Sequence, residues 1–356
     1  MTAIPSSPIT DPVLIERKGA LGRIRLNRPK ALNSLTLDMV RRIERALDAF
    51  AADGDIRAVL ITGEGERGLC AGGDIRAIFD SGRAKDGLGE TFWREEYQMN
   101  ACIAAYAKPY IALMDGITMG GGVGVSAHGR HRIVTERTRL AMPETGIGFF
   151  PDIGGTWLLS RAPGEIGTYL GLTGAQIGAG DAIYAGFADI FVPIEKAPGL
   201  VEGLAALSSD STAGAAIAAF AGTSPDAPLA AQRSLIDDCF AFDRVEDILA
   251  ALTHARTPFA SDTHAALMAK SPTSLKLTLR LLRLARQSAD LETCLAREFA
   301  AAARILDGHD FYEGVRAAVI DKDRNPRWSP DTLDAVSAQD IDAYLAPGPE
   351  PIFKTE

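Results

Sequence analysis

The sequence is short of several things, and each shortage removes a class of function. Its 356 residues include only 4 cysteines, Cys70, Cys102, Cys239 and Cys294, widely spaced and with no CxxC pair. That pattern builds neither a disulfide framework nor a zinc ribbon, so reduced thiols, no disulfide and a cytoplasmic location are expected. The 5 histidines show no metal-ligand spacing except His128 and His131, which border a predicted strand and read as surface or packing residues. Basic residues are outnumbered: 37 Lys and Arg against 46 Asp and Glu give a formal net charge of -9. Without a basic surface to neutralise phosphates, nucleic acid is not expected as a partner, although a local cluster could still hold a small anion. No apolar run reaches the length needed to cross a bilayer, so no membrane partner is expected either. The opening "MTAIPSSPITDPV" shows neither an apolar stretch before a cleavage site nor an Arg-rich transit pattern.

Familiar catalytic signatures are missing too. There is no G-x-S-x-G elbow, no G-x-x-x-x-G-K-[ST] loop and no H-E-x-x-H helix. Cys70 lies beside a Gly-rich loop but has no readable base as partner, and a small buried residue accounts for it. Gly122, Gly124 and Ala127 fit G-x-G-x-x-A, with Glu144 twenty residues after Gly124. The context does not suit a dinucleotide site: "DGITMGG" separates the glycines from the strand, and the acid sits inside "MPETG" instead of ending the next strand.

What the chain does have is apolar mass and glycine: 47% hydrophobic residues and 35 glycines, enough for a large core. "VLIERKG" and "GRIRLNRP" predict a hairpin with a Gly-flanked turn. Val40, Ile43, Leu47 and Phe50 recur at three and four and predict a helix, with Ser34 or Thr36 as cap and Gly54 at its exit. "IRAVLITG", "KPYIALMDG", "HRIVTE" and "TRLAMPE" read as strands, and "FWREEYQMNACIAAYA" as a further helix. Strands alternating with helices imply an α/β core with partly parallel pairing. Beyond about residue 200 the texture becomes Ala- and Leu-rich and helical. The expected division is a core over 12–200, a helical region over 201–346, and flexible tails at 1–11 and 347–356.

Two Gly-rich loops, "CAGGDI" and "MGGGVG", each follow an apolar strand. Glycine lets a backbone approach a ligand and present N–H groups, and two such loops could form an oxyanion hole; tight strand-to-helix turns are the plainer reading. Asp74, at the end of the first loop, can cap the next helix. Two acids, Glu144 and Asp152, stand eight positions apart in an otherwise uncharged run, "AMPETGIGFFPDIGG". Glu144 suits a strand end facing a cleft or a solvated loop, and Asp152 after Pro151 suits a turn.

Taken together, "NRPKALNSL", "GLCAGGDI", "GITMGGGVG", "MPETGIGFFPDIGGT", "KSPTSLKLT" and "GHDFYEGVRAAVIDKD" resemble the crotonase, or enoyl-CoA hydratase/isomerase, superfamily across residues 12–345. "REEY", "FPD" and "GHDFYEGVRA" resemble its branch of 3-hydroxyisobutyryl-CoA hydrolases. The resemblance implies a spiral of ββα units with a C-terminal helical region covering an acyl-CoA site. It implies that Gly73 and Gly121 supply the two oxyanion-hole N–H groups. Of the two glutamates that hydratases place about the substrate, the first position is Gly124 here and only the second remains, as Glu144. That departure disfavours hydration and leaves thioester hydrolysis, with Glu144 as nucleophile or general base. Asp152 and Glu96 would then contact the acyl group at its 3-hydroxyl, with Asp152 counted among the catalytic groups. Arg28, Lys30 and Lys270 are candidates for the CoA phosphates. No metal and no cofactor beyond the CoA of the substrate is implied, a homo-oligomer is compatible with it, and the reaction would belong to valine breakdown.

Overall fold

The computed structural model describes residues 11–346 and 350–353, so the tail expectation for 1–10, 347–349 and 354–356 lies outside the described residues. Nine strands form among them: β1 (Val13–Lys18), β2 (Leu21–Leu26), β3 (Ala58–Gly63), β4 (Gly68–Cys70), β5 (Tyr110–Met114), β6 (Ile117–Met119), β7 (His131–Val134), β8 (Arg139–Ala141) and β9 (Ile190–Phe191). They make two sheets, a six-stranded one in the order β1-β2-β3-β5-β7-β9 and a three-stranded one in the order β4-β6-β8. Only the β1–β2 hairpin is antiparallel; every other pairing is parallel.

The connection between the sheets repeats. β3, β5 and β7 each lie in the large sheet, and the strand that follows each, β4, β6 and β8, crosses to the small one before the chain turns into helix. This is the ββα spiral that the resemblance implies. Glycine makes the crossing possible at Gly116, between β5 and β6, where φ is +70° and a Cβ would lie 2.7 Å from the Arg67 carbonyl oxygen. Of the small sheet only β8 was legible, in "TRLAMPE"; β4 and β6 are three residues long, lie against the Gly-rich loops and carry no readable alternation.

Near-continuous apolar runs in β3 and β5 reflect burial on both faces. Val59, Ile61, Ala112 and Met114 join the main core, while Ala58, Leu60, Ile111 and Leu113 face a second cluster with Leu200, Leu204 and Ile217. Those last residues belong to the helices Ala197–Ala205 and Ala213–Ala218, which cover the back of the large sheet. The main core in turn joins Ile24 and Val59 to Leu279 and Leu295 of the late helices Pro272–Ala285 and Leu291–Ile305. The predicted helix appears as Leu37–Ala52, with Thr36 chosen as cap: its hydroxyl accepts from the Met39 N–H at 3.3 Å. Asp74 does not act as the expected side-chain cap; it stands at the N-terminus of Ile75–Ala84 without a capping bond and pairs with Arg28 at 3.0 Å.

Gly116→Ala combines a left-handed φ with a backbone clash, so it is expected to cost about 2 kcal/mol or more of stability. Urea unfolding checks this; an unchanged midpoint would show that the crossover does not require glycine.

Candidate active site

Each Gly-rich loop is held in a defined way. Leu35 bridges to Gly73, its N–H donating to the Gly72 carbonyl at 2.8 Å and its carbonyl accepting from the Asp74 N–H at 2.8 Å. In such a parallel bridge the N–H of the middle residue, Gly73, points away from Leu35. Gly121 is the first residue of the short helix Gly121–Ala127, where the opening N–H groups have no carbonyl within the helix to bond. The two loops touch: a Cβ on Gly121 would stand 3.2 Å from the Gly73 nitrogen and 2.5 Å from Glu96 Oε1. A Cβ on Gly120 would lie 3.1 Å from Glu144 Oε1. Glycine at 120 and 121 therefore clears the space in which two amides and two carboxyls converge.

Glu96 comes from the helix Leu88–Ala104, Glu144 opens the 3-10 turn Glu144–Ile147, and Asp152 follows Pro151 in the next loop. All three are buried, at 2%, 6% and 6% exposure. Burial is the main reason the Glu144 carboxyl is pushed well above the usual carboxylate range, with the Asp152 charge adding to it and Lys270 opposing. Glu96 rises well above its ordinary value too, from burial and then from Asp152. Asp152 is pushed up by burial to about 7 and held from rising further by the Tyr97 hydroxyl, which donates to Oδ2 at 2.6 Å. In the Glu96–Asp152 pair the Tyr97 hydroxyl favours charge on Asp152, and no side-chain donor offers Glu96 the same support.

Sequence reasoning missed Glu298. It lies fully buried on the helix Leu291–Ile305 and accepts from the Gly154 N–H at 2.7 Å, the Thr156 N–H at 3.0 Å and the Thr156 hydroxyl. Burial pushes it to about 8, against those three donors. It fixes the turn that carries Asp152, in which Ile153 at φ 57° and Gly154 at φ 75° are both left-handed. His128 braces the same turn: its Nε2 donates to the Ile153 carbonyl at 2.7 Å, and burial lowers it to about 4, so it stays neutral. Glu298 lies 144 positions beyond Gly154, so the contact leaves no local signal in the sequence.

Gly124 also has a structural reason. A Cβ there would lie 2.8 Å from Asn100 Nδ2 and 3.1 Å from Ile153 Cβ, so the place of a side chain at 124 is already occupied. Phe92 lies over Gly73, 3.1 Å from the position of its Cβ, and Trp93, Phe149 and Phe150 stack into an apolar wall beside it. Cys70 is buried beneath the loops, its thiol pushed up to about 12 by burial, which makes it inert as a nucleophile. Arg28 is committed inside its own loop, to Ser34 O at 2.6 Å and to Asp74. Lys270 is different: its ammonium lies 3.3 Å from where a Cβ on Gly146 would stand, beside the Glu144 turn, and burial lowers its pKa. Among the described residues no group of three or more His, Cys, Asp or Glu is arranged to hold a metal ion, and no helix is long and apolar enough to cross a membrane.

The sequence profile of the enoyl-CoA hydratase/isomerase family matches residues 21–345. The chain belongs to that family. Among its relatives, the mitochondrial 3-hydroxyisobutyryl-CoA hydrolase of Mus musculus is 43% identical over 340 residues, 94% of this chain and 88% of that protein. The mitochondrial 3-hydroxyisobutyryl-CoA hydrolase of Danio rerio is 44% identical over 345 residues, 95% of this chain and 90% of that one. A crystal structure described as a carnitinyl-CoA dehydratase, from Mycobacterium thermoresistibile, is 46% identical and superposes with a TM-score of 0.93 over 97% of this chain and 99% of that chain. The mitochondrial setting of the mouse and zebrafish relatives overturns the cytoplasmic expectation. That expectation rested on unpaired cysteines and on an opening with no readable transit pattern, and reduced thiols separate reducing from oxidising compartments without telling one reducing compartment from another.

Lys270→Met removes the one cation that opposes the rise of Glu144, so the Glu144 carboxylate becomes harder to form. The acid limb of the pH profile of kcat/KM is expected to move to higher pH; a limb that stays put would show that Lys270 does not act on Glu144.

Proposed function

We propose that the protein hydrolyses the thioester of 3-hydroxyisobutyryl-CoA to 3-hydroxyisobutyrate and coenzyme A, and that Gly73, Gly121 and Glu144 carry the reaction. The observation that carries this reading is Glu144 beside the touching glycine loops, with the space a side chain at position 124 would need filled by Asn100 and Ile153. Adding water across a double bond is a task usually shared between two acid/base groups, and a side chain at 124 has no room here. The names of the mouse and zebrafish relatives agree with hydrolysis; the name of the mycobacterial structure, a dehydratase, points to the alternative that the filled space at Gly124 disfavours.

In this reading the thioester carbonyl oxygen sits between the N–H groups of Gly73 and Gly121. As the carbon becomes tetrahedral the oxygen gains negative charge, and two fixed dipoles stabilise it without reorganising. Glu144 either takes a proton from water as the water oxygen bonds to the carbonyl carbon, or bonds to that carbon itself to give an anhydride that water then opens. In both routes the carbon–sulfur bond breaks, the sulfur leaves as CoA thiolate and receives a proton, and water supplies the oxygen of the new acid. No cofactor beyond the substrate's own CoA enters the balance. The raised pKa of Glu144 places its proton transfer closer to neutral pH than an exposed glutamate would. Asp152, steadied by Tyr97 through Oδ2, and Glu96 read the 3-hydroxyl. Release of free 3-hydroxyisobutyrate is a step in valine breakdown, and we place the enzyme there.

Incubation of the protein with 3-hydroxyisobutyryl-CoA and a thiol reagent tests the reading directly. Free thiol is expected; a change in enoyl absorbance without thiol release would assign a hydratase instead. Glu144→Gln is expected to lower kcat by at least 100-fold while the CoA thioester still binds, as measured by calorimetry, since one acid/base group contributes about 10²–10⁴-fold. Asp152→Asn is expected to reduce kcat/KM for hydroxylated acyl groups more than for plain ones. Equal loss on both would give Asp152 a structural or general catalytic part.

A further inference from the structure

Nine buried side-chain polar atoms lack a hydrogen-bond partner among the described residues, and four of them belong to Glu96, Asn100 and Glu144. Asn100 contributes two, its amide nitrogen and its amide oxygen, on a side chain with 0% exposure. A buried amide with neither group paired is costly, and such groups in a folded protein call for a ligand or a water as partner.

The position of Asn100 says which ligand. It lies one helical turn beyond Glu96 on Leu88–Ala104, so both side chains project from the same face. That face lies against the helix Gly121–Ala127, where Gly121 looks at Glu96 Oε1 and Gly124 looks at Asn100 Nδ2. Asn100 is thus beside the carboxyls and 2.8 Å from the Cβ position of Gly124, with Ile153, the neighbour of Asp152, closing the other side. An alcohol oxygen both donates and accepts hydrogen bonds. An ionised Asp152 carboxyl can only accept, and its Oδ2 already takes the Tyr97 hydroxyl. The substrate hydroxyl can donate to the remaining Asp152 oxygen, and its lone pairs then need a donor. We infer that Asn100 is a specificity-determining residue whose side-chain amide donates to the 3-hydroxyl oxygen of the bound acyl group. This rests on the hydroxyacyl thioester reading given above.

The test compares 3-hydroxyisobutyryl-CoA with isobutyryl-CoA, which has the same carbon skeleton without the hydroxyl, by thiol release from unaltered enzyme, Asn100→Ala and Asn100→Ser. Loss of a neutral donor to a buried hydroxyl is expected to lower kcat/KM of Asn100→Ala for the hydroxylated substrate by about 10- to 100-fold, with isobutyryl-CoA changed by less than about 3-fold. Asn100→Ser, smaller and still polar, gives a soluble comparison should the Ala variant fail to fold, and the same selective loss is expected. Binding of the two thioesters in a Glu144→Gln background gives the split without turnover: Asn100→Ala weakens only the hydroxylated one. Equal losses on both substrates, or no loss on either, would overturn the assignment. A lack of thiol release from 3-hydroxyisobutyryl-CoA by the unaltered enzyme would instead remove the functional reading and leave Asn100 unassigned.

Discussion

The close approach of two helices through glycine is the constraint on which the site depends. Leu88–Ala104 and Gly121–Ala127 meet where Gly121 faces Glu96 and Gly124 faces Asn100, and a Cβ at either glycine would fall on the end of the facing side chain and displace it. Only with that gap closed do the Glu96 carboxyl and the first amides of the short helix share one small space. The same contact explains why the loops are rich in glycine although several of these residues have ordinary helical dihedrals. Close approach, not unusual φ, is what Gly121 and Gly124 provide.

Holding four carboxyl groups, Glu96, Glu144, Asp152 and Glu298, in one buried region works against stability, because each would rather be solvated and each ionised one repels the rest. The fold offsets this with specific donors: Tyr97 for Asp152, and Gly154 and Thr156 for Glu298. Glu96 and Glu144 are left with an unpartnered oxygen each. Glu298 is thus satisfied within the protein and Asp152 at one oxygen, while Glu96 Oε1 and Glu144 Oε2 keep capacity for a ligand. That contrast separates a bracing carboxyl from a working one more clearly than burial does.

The late helices are part of the site's construction. Glu298 on Leu291–Ile305 fixes the turn behind Asp152, Lys270 stands beside Glu144, and Asp310 packs its backbone against Gly148, where φ is +70°. Sequence texture suggested a change near residue 200, yet a single apolar core runs from Ile24 to Leu295. Texture reports which secondary structure a stretch prefers; packing depends on which apolar faces find each other.

The sequence by itself determined the long strands, the Leu37–Ala52 helix and the helical character beyond 200, because apolar periodicity and capping are local properties. Its glycine and acid motifs singled out Glu96, Glu144 and Asp152 as candidates, through likeness to a family, and the structure brings the three into one buried region. Only the tertiary structure decided that Thr36 and not Ser34 caps the helix, that Asp74 turns to Arg28, and that β4, β6 and β8 make a second sheet. It alone brought in Glu298 and Asn100, whose neighbours lie far along the chain or across a helix interface, and it set Lys270, a candidate for the CoA phosphates, beside the Glu144 turn. Local preference is written over a few residues and can be read there, whereas a buried charge acquires its meaning from neighbours that folding alone delivers.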